Sequence, residues 1–439
     1  MRQKFNNIGM LIVYNILLFA AALIIAPYYL FVILFRGKYR QSIMPKLGGR
    51  QAEIFARLKS DKRVWIHAVS VGEVTAAAPV IAALKQKRSD IEVILSTSTE
   101  TGQQMARQII TAADAFVYFP LDFPCVVRKA IRQARPDVFA LIETELWPNF
   151  LKTCKKRGAK ILMVNGRISP RSYGKYRFTR LFWRRIFQDF SAAAVISALD
   201  AQRIIKMGMR PGKIYILGNT KYDALAARAS GPIKQEISRR FNVRPEERFF
   251  VAGSTHPGEE EIIISVYKQI RAVYPDFKLI IVPRHIERTP AIIELLRQNG
   301  LADFIAMSEI SKGKTRKEEK VVLVDVIGEL FKIYSLATIV YCGGSLVPRG
   351  GQNILEAAAW GKVIFYGHSM DDFSEEKSLL ESVGCGIMVK SADDLTQKIL
   401  QALENPAELA RKGARGREAV VANMGAAVRY AELIEKFLD

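Results

Sequence analysis

Eleven short apolar runs, six in one set and five in a second, constrain this 439-residue chain more than any other feature. The first set is VWIHAV (64–69), EVILSTST (92–99), AFVYFP (115–120), VFALIETE (138–145), KILMVNG (160–166) and AAVISA (193–198). The second is RFFVAGST (248–255), FKLIIVPR (277–284), VVLVD (321–325), ATIVYCGG (337–344) and KVIFYG (362–367). The runs are rich in β-branched residues and continuous rather than alternating, the pattern of strands buried on both faces of a parallel sheet. Helix-length segments such as 76–87 and 259–273 separate them, as parallel neighbours require. Two doubly wound α/β domains in tandem are expected, joined near 218–242. Open sheets of this kind bind ligands outside the carboxyl ends of their strands, and facing domains would form a cleft there.

Ahead of the first set, Met10 to Phe35 runs 26 residues without a charge. As a helix it would be roughly 39 Å long at about 1.5 Å per residue, enough to cross a bilayer. The run is too long for a signal peptide and no small-residue cleavage site follows it, so a retained anchor is expected. Arg36, Lys38, Arg40, Lys46 and Arg50 follow it, against Arg2 and Lys4 before it, a bias that keeps the body of the protein cytoplasmic. Four scattered cysteines, without metal or disulfide spacing, agree with a reducing compartment.

The net charge of +22 is unevenly placed. Residues 36–213 hold 33 Lys and Arg against 13 Asp and Glu, whereas 214–439 hold 30 of each. Excess positive charge beside an anchor points to an anionic membrane face or an anionic lipid substrate. Nucleic acid is not expected, because no nucleic-acid module accompanies the charge. The basic-aromatic tract RSYGKYRFTRLFWRRIF (171–187) reads either as an interfacial helix on headgroups or as core aromatics with arginines in water.

Unusual residues gather at the predicted strand ends. HAVSVGEV places Glu73 behind a glycine, as a helix cap or as a base. IETELWPN ends a buried strand with Glu143 and Glu145, and buried carboxylates need partners. GNTKYD puts Lys221 at the domain join. In the second set Pro283-Arg284 offers a guanidinium to a phosphate, and Ile327-Gly328-Glu329 follows another strand. GGSLVPRGGQNILEAAAWGK (343–362) reads as a glycine-rich turn opening a helix, presenting unpaired N–H groups to a phosphate. Glu356 there either accepts from ribose hydroxyls or completes a capping box on Asn353. HExxH, GxSxG and Walker patterns are absent from the sequence, so metal, serine and P-loop chemistry are not expected.

Together the motifs resemble those of one family, the 3-deoxy-D-manno-octulosonic acid (Kdo) transferases of lipopolysaccharide synthesis. HAVSVGEV, STSTETG, IETELWPN, NGRIS, GNTKYD, GSTHPGEE, VPRH, VIGEL and GGSLVPRGGQNILEAAAWGK stand in the family's order from residue 67 to 362. The chain departs from the usual pattern at Gln352, Ile354, Val363 and His368.

The resemblance implies an α/β GT-B fold of two Rossmann-like domains facing across a cleft. A transmembrane anchor (1–36) would precede an acceptor domain (37–218) and a donor-nucleotide domain (219–439). It implies inverting transfer of Kdo from CMP-Kdo to the tetra-acylated lipid A precursor at the inner face of the cytoplasmic membrane, with no metal or other cofactor. Glu73 would be the general base, with Glu143 and Lys221 stabilising the transition state. Pro283, Arg284, Ile327, Gly328, Glu329, Asn353, Ile354, Leu355 and Glu356 would hold CMP. An inverting transfer needs one base and no covalent nucleophile, which suits a lone carboxylate. The alternative is a GT-B transferase using a UDP-sugar and a lipid-linked acceptor.

Overall fold

The computed structural model describes residues 2–36, 39–49, 51–168 and 170–439. The first sheet contains β1 (Arg63–His67), β2 (Glu92–Thr97), β3 (Ala115–Tyr118), β4 (Val138–Ile142), β5 (Lys160–Gly166), β6 (Ala192–Val195) and β7 (Ile214–Ile216). The second contains β8 (Arg248–Thr255), β9 (Phe277–Pro283), β10 (Phe304–Ala306), β11 (Val321–Leu323), β12 (Ala337–Cys342), β13 (Ile364–Tyr366) and β14 (Gly386–Met388). Their orders are β3-β2-β1-β4-β5-β6-β7 and β10-β11-β9-β8-β12-β13-β14. Every pairing is parallel.

All eleven predicted runs supply a strand. The three strands not predicted, β7, β10 and β14, have three residues each and lie at sheet edges. An edge strand pairs on one side only, so it needs no long two-sided apolar run.

Burial on both faces is visible in β1. Val64 and Ile66 enter one core cluster with Val74, Ala77, Val80 and Ile81 of the helix Val71–Lys87. Trp65 enters the other, its ring 5.7 Å from Phe55 and 5.1 Å from Phe150, and its indole N–H donates to Ser96 Oγ at 2.8 Å. An indole fully buried without an acceptor would lose much of what its apolar area contributes.

The chain divides into two compact units, Met1–Ala224 with Met424–Asp439, and Leu225–Asn423. The expected boundaries are corrected accordingly. The crossing lies at Ala224/Leu225 instead of after 218, and the second unit does not run to 439. The helix Ala426–Lys436 returns to the first unit because Ala427, Tyr430, Ala431 and Ile434 form an apolar stripe at helical spacing. That stripe is buried against Val74, Ala77 and Val80.

The N-terminal helix spans Arg2–Phe35, and its stretch Gly9–Phe35, whose most apolar 18 residues have mean hydropathy 2.6, is long and apolar enough to cross a membrane. Two polar side chains tie it to the first unit. Tyr14 Oη donates to Asp122 Oδ2 at 3.0 Å, and Asn15 and Asn149 exchange amide hydrogen bonds of 3.3 and 2.7 Å. Asp122 also accepts from the backbone N–H of Asn149 (2.9 Å) and Phe150 (2.8 Å), capping the helix Pro148–Lys156 from a different segment. Burial pushes its carboxyl up to about 6. The basic-aromatic tract fits neither single reading. Ile186 and Phe187 are buried and Phe182 stacks on Tyr14, while Phe178 and Leu181 are 92% and 71% exposed.

Asp122→Ala removes a cap and leaves three donors without it, a loss of about 1–2 kcal/mol. The unfolding midpoint of the full chain in detergent is expected to fall by about 2–8 °C at this size; an unchanged midpoint would show that Asp122 is not the link.

Candidate active site

In each sheet the strand order reverses beside the first strand, between β1 and β4 and between β8 and β12. Both reversals carry the residues singled out by sequence. Glu73 follows β1 in the first turn of Val71–Lys87, where Ser70 is the N-cap and its Oγ accepts from Glu73 N at 3.4 Å. The carboxylate reaches back, Oε2 accepting from Val69 N at 2.8 Å and Oε1 from Ser70 Oγ at 3.1 Å. Ser70 therefore caps the helix, and Glu73 returns a bond to the N–H of Val69, one residue before the N-cap, a near relative of the capping box.

Capping does not exhaust its properties. Glu73 is 7% exposed, and burial, then the nearby charges of Glu143 and Glu145, push its carboxyl up to about 7 against the opposing Val69 and Ser70 hydrogen bonds. Glu143 and Glu145 follow β4, the neighbour of β1 across the reversal. Glu143 has φ +61°, a left-handed conformation that costs a non-glycine residue about 1–2 kcal/mol. Its N–H donates to Val164 O of β5 at 3.0 Å, which holds the turn. Glu145 is also raised, first by burial and then by Glu143. Neither carboxylate forms an ion pair among the described residues, and the next helix is capped by Asp122, so arginine pairing and helix capping do not account for them.

Lys221 opens the helix Lys221–Arg228 after β7, at the far edge of the same sheet, and is half-buried. The chain before it turns back across the carboxyl edge. Thr220 N donates to Asn165 Oδ1 at 3.1 Å, and Asn165 belongs to β5, next to β4. Glu73, Glu143 and Lys221 thus lie along one edge of one sheet.

In the second unit a cavity of about 360 Å³ is lined by Ser254, Arg284, Gly328, Gln352, Asn353 and Glu356, among others. Four of the nine expected nucleotide residues therefore meet there. Asn353 Nδ2 donates to Glu356 Oε1 at 3.2 Å, while its Oδ1 accepts from Leu355 N at 3.2 Å. A guanidinium, an amide, a carboxylate and the Ser254 hydroxyl give the cavity donors and acceptors for a polar, phosphate-bearing ligand. Pro283 closes β9 beside Thr255. The side chains of Ile354 and Leu355 are fully buried and face the core. Ile327 is 83% exposed, and Glu329 pairs with Arg240 at 3.2 Å and Lys332 at 3.6 Å.

The glycine-rich segment differs from its expected form. The N–H groups of Gly344, Ser345 and Leu346 are occupied by the fully buried carboxylate of Glu259, at 2.7, 3.0 and 3.1 Å. His256 N (3.0 Å) and Tyr341 Oη (2.7 Å) complete its shell. A built-in anion fills the place assigned to a phosphate. The following helix, Leu355–Ala359, has five residues with Ile354 as N-cap, too short for a useful dipole. The glycines answer to packing: a Cβ on Gly343 would lie 2.4 Å from Ser254 O, and Gly350 and Gly351 both have φ +81°. Sequence reasoning also missed Ser254, left-handed at φ +56° in the cavity wall, for which no residue-type signal exists.

The family described as 3-deoxy-D-manno-octulosonic-acid transferase (kdotransferase) matches residues 44–224. A 3-deoxy-D-manno-octulosonic acid transferase of Haemophilus influenzae is 31% identical over 378 residues, covering 86% of this chain and 87% of that protein. A bifunctional glycosyltransferase/methyltransferase of Fusobacterium nucleatum is 29% identical over 85% of this chain, which spans 57% of that relative's length. The crystal structure of UDP-GlcNAc 2-epimerase from Neisseria meningitidis superimposes with a TM-score of 0.59 at 14% identity, covering 86% of this chain and 99% of that one. At that identity the likeness concerns the fold, the paired Rossmann-like architecture of GT-B proteins. With the H. influenzae relative matched over most of both lengths, the chain belongs to the 3-deoxy-D-manno-octulosonic acid (Kdo) transferase family of glycosyltransferases.

Proposed function

We propose that the protein transfers Kdo from CMP-Kdo to a hydroxyl of the tetra-acylated lipid A precursor, with inversion, at the inner face of the cytoplasmic membrane. One observation carries the reading: Glu73 sits at a strand-order reversal with its carboxyl pushed up to about 7, matched to base catalysis at neutral pH. Glu73 takes the proton of the acceptor hydroxyl as its oxygen bonds to the anomeric carbon. The bond from that carbon to the CMP oxygen breaks, and CMP leaves with the electron pair. Glu143 faces the positive charge that develops at the anomeric centre, and Lys221 the negative charge of the leaving phosphate.

The cavity of the second unit takes CMP in this reading. Arg284 meets the phosphate, Asn353 and Glu356 meet ribose hydroxyls, and Pro283, Ile327 to Glu329 and Ile354 to Leu355 contribute backbone or shape. Fixed cations take the charge that a metal would otherwise carry, so the reaction needs none. The apolar helix Gly9–Phe35, the basic excess of residues 36–213 and exposed Phe178 and Leu181 support seating on an anionic membrane surface.

Glu73→Gln is expected to lower kcat by about 10²–10⁴-fold while CMP binding is kept, measured with CMP-Kdo and purified lipid A precursor. Transfer at the wild-type rate, or turnover of UDP-sugars in place of CMP-Kdo, would reject the reading. The same variant separates activity from stability. The folded state binds the Glu73 proton more tightly than the unfolded chain, so the cost of ionising it is absent well below the ordinary glutamate value of 4.5 and fully felt above about 7. At pH 8 the glutamine protein should therefore melt no lower than the wild type.

The base must be ionised to act, so kcat/KM should fall as pH drops through about 7. Glu145→Gln removes a neighbouring negative charge and should move that limb to lower pH. A limb that stays in place would exclude Glu73 as the titrating group.

A further inference from the structure

The C-terminal helix Ala426–Lys436 touches both elements that bear on the proposed chemistry of the first unit. One set of contacts grips the segment 217–223, which carries Lys221. Leu217 O accepts from Arg429 Nε at 3.0 Å and from Nη2 at 2.8 Å. Gly218 O accepts from Tyr430 Oη at 2.8 Å. Beyond Lys221, Asp223 accepts from the N–H groups of Gly425 (2.7 Å) and Ala427 (3.3 Å), so the Lys221 helix in turn caps the C-terminal one. Between these clamps Asn219 Oδ1 accepts from the N–H of Lys221 itself at 3.0 Å.

Gly218 is required where the grip is tightest. Its φ is +87°, and a Cβ there would stand 3.2 Å from Arg429 Nη2. Tyr430 is fully buried, and burial drives its phenol well above the ordinary value, so it remains a proton donor to Gly218 O at any working pH. The second set of contacts faces the helix Val71–Lys87, which carries Glu73. Tyr430, Ala431 and Ile434 share a core with Val74, Ala77 and Val80, and Lys87 pairs with Glu432 at 3.2 Å.

We infer that Tyr430 is a positioning residue for Lys221: its hydroxyl pins the Gly218 carbonyl so that the Lys221 segment is held in register with the helix bearing Glu73. The inference rests on the role proposed above for Lys221. A lysine ammonium rides on a flexible four-carbon stem, so a transition-state charge supplied by lysine is only as well placed as the backbone beneath it. Misplacement of about 1 Å can cost on the order of 100-fold in rate. Tyr430 touches no reacting atom in this scheme; it acts through the segment it holds.

Tyr430→Phe deletes one oxygen and keeps the packed ring. In the full-length enzyme, with CMP-Kdo and lipid A precursor, kcat should fall at least about tenfold, within the range that misplaced catalytic groups produce. The KM for CMP-Kdo, inhibition by CMP and the acidic limb of the pH profile should stay in place. Arg429→Met, on an exposed residue, should reduce kcat in the same manner and serves if the phenylalanine variant folds poorly. The deciding measurement is the double-mutant cycle: in a Lys221→Ala background Tyr430→Phe should have no further effect. Additive losses, or a Tyr430→Phe enzyme within twofold of wild-type kcat while Lys221→Ala is impaired, would overturn the inference alone. Full activity in Lys221→Ala would overturn the role of Lys221 and the inference with it.

Discussion

A parallel sheet whose strand order reverses cannot cover its own carboxyl edge at the reversal, because the helices that follow the two adjacent strands depart to opposite faces. The candidate site residues of both units lie at or are drawn toward such an opening. In the first unit it separates β1 from β4, and in the second β8 from β12. The apolar strands are what force the arrangement, since runs such as Val64 to Ile66 must be covered on both faces and only crossover helices can do so.

The two openings treat the same residue type in opposite ways. Glu73 and Glu259 each occupy the first turn of the helix that follows the leading strand of its sheet. Glu259 is met by four backbone N–H groups and the Tyr341 hydroxyl, so its charge is consumed in holding the Gly344–Leu346 turn against β8. Glu73 receives one backbone N–H and one hydroxyl and faces two further carboxylates. A carboxylate supplied with many donors is a structural clamp; one supplied with few, among like charges, holds its proton to a higher pH and can exchange it.

Much of this was legible in the residues. Strand composition yielded eleven of the strands and the parallel class, and the strand-end motifs led to Glu73, Glu143 and the cavity around Arg284, Asn353 and Glu356. Three short edge strands escaped because one-sided pairing leaves no continuous apolar run to read. In sequence the glycine-rich turn reads as open because its N–H groups have no partner within the motif, whereas the partner, Glu259, stands more than eighty residues away. The left-handed backbones of Glu143, in the turn after β4, and of Ser254, at a register shift within β8, arise from how neighbouring strands constrain the chain, which no side chain announces. The return of Ala426–Lys436 was missed for a related reason: an amphipathic stripe states that a face is buried without naming what covers it.

That return bears on how the chain acquires its structure during synthesis. Domains made first ordinarily close first, while the remainder is still being translated. Here Tyr430, Ala431 and Ile434 complete the core over Val74, Ala77 and Val80, yet they are made only after all of residues 225–423. Until then the first unit carries an open apolar face beside the helix of Glu73. Completion of the earlier unit is therefore deferred until residues 225–423 have been made, so the first sheet gains its last covering helix only after the second unit's whole sequence has left the ribosome's active centre.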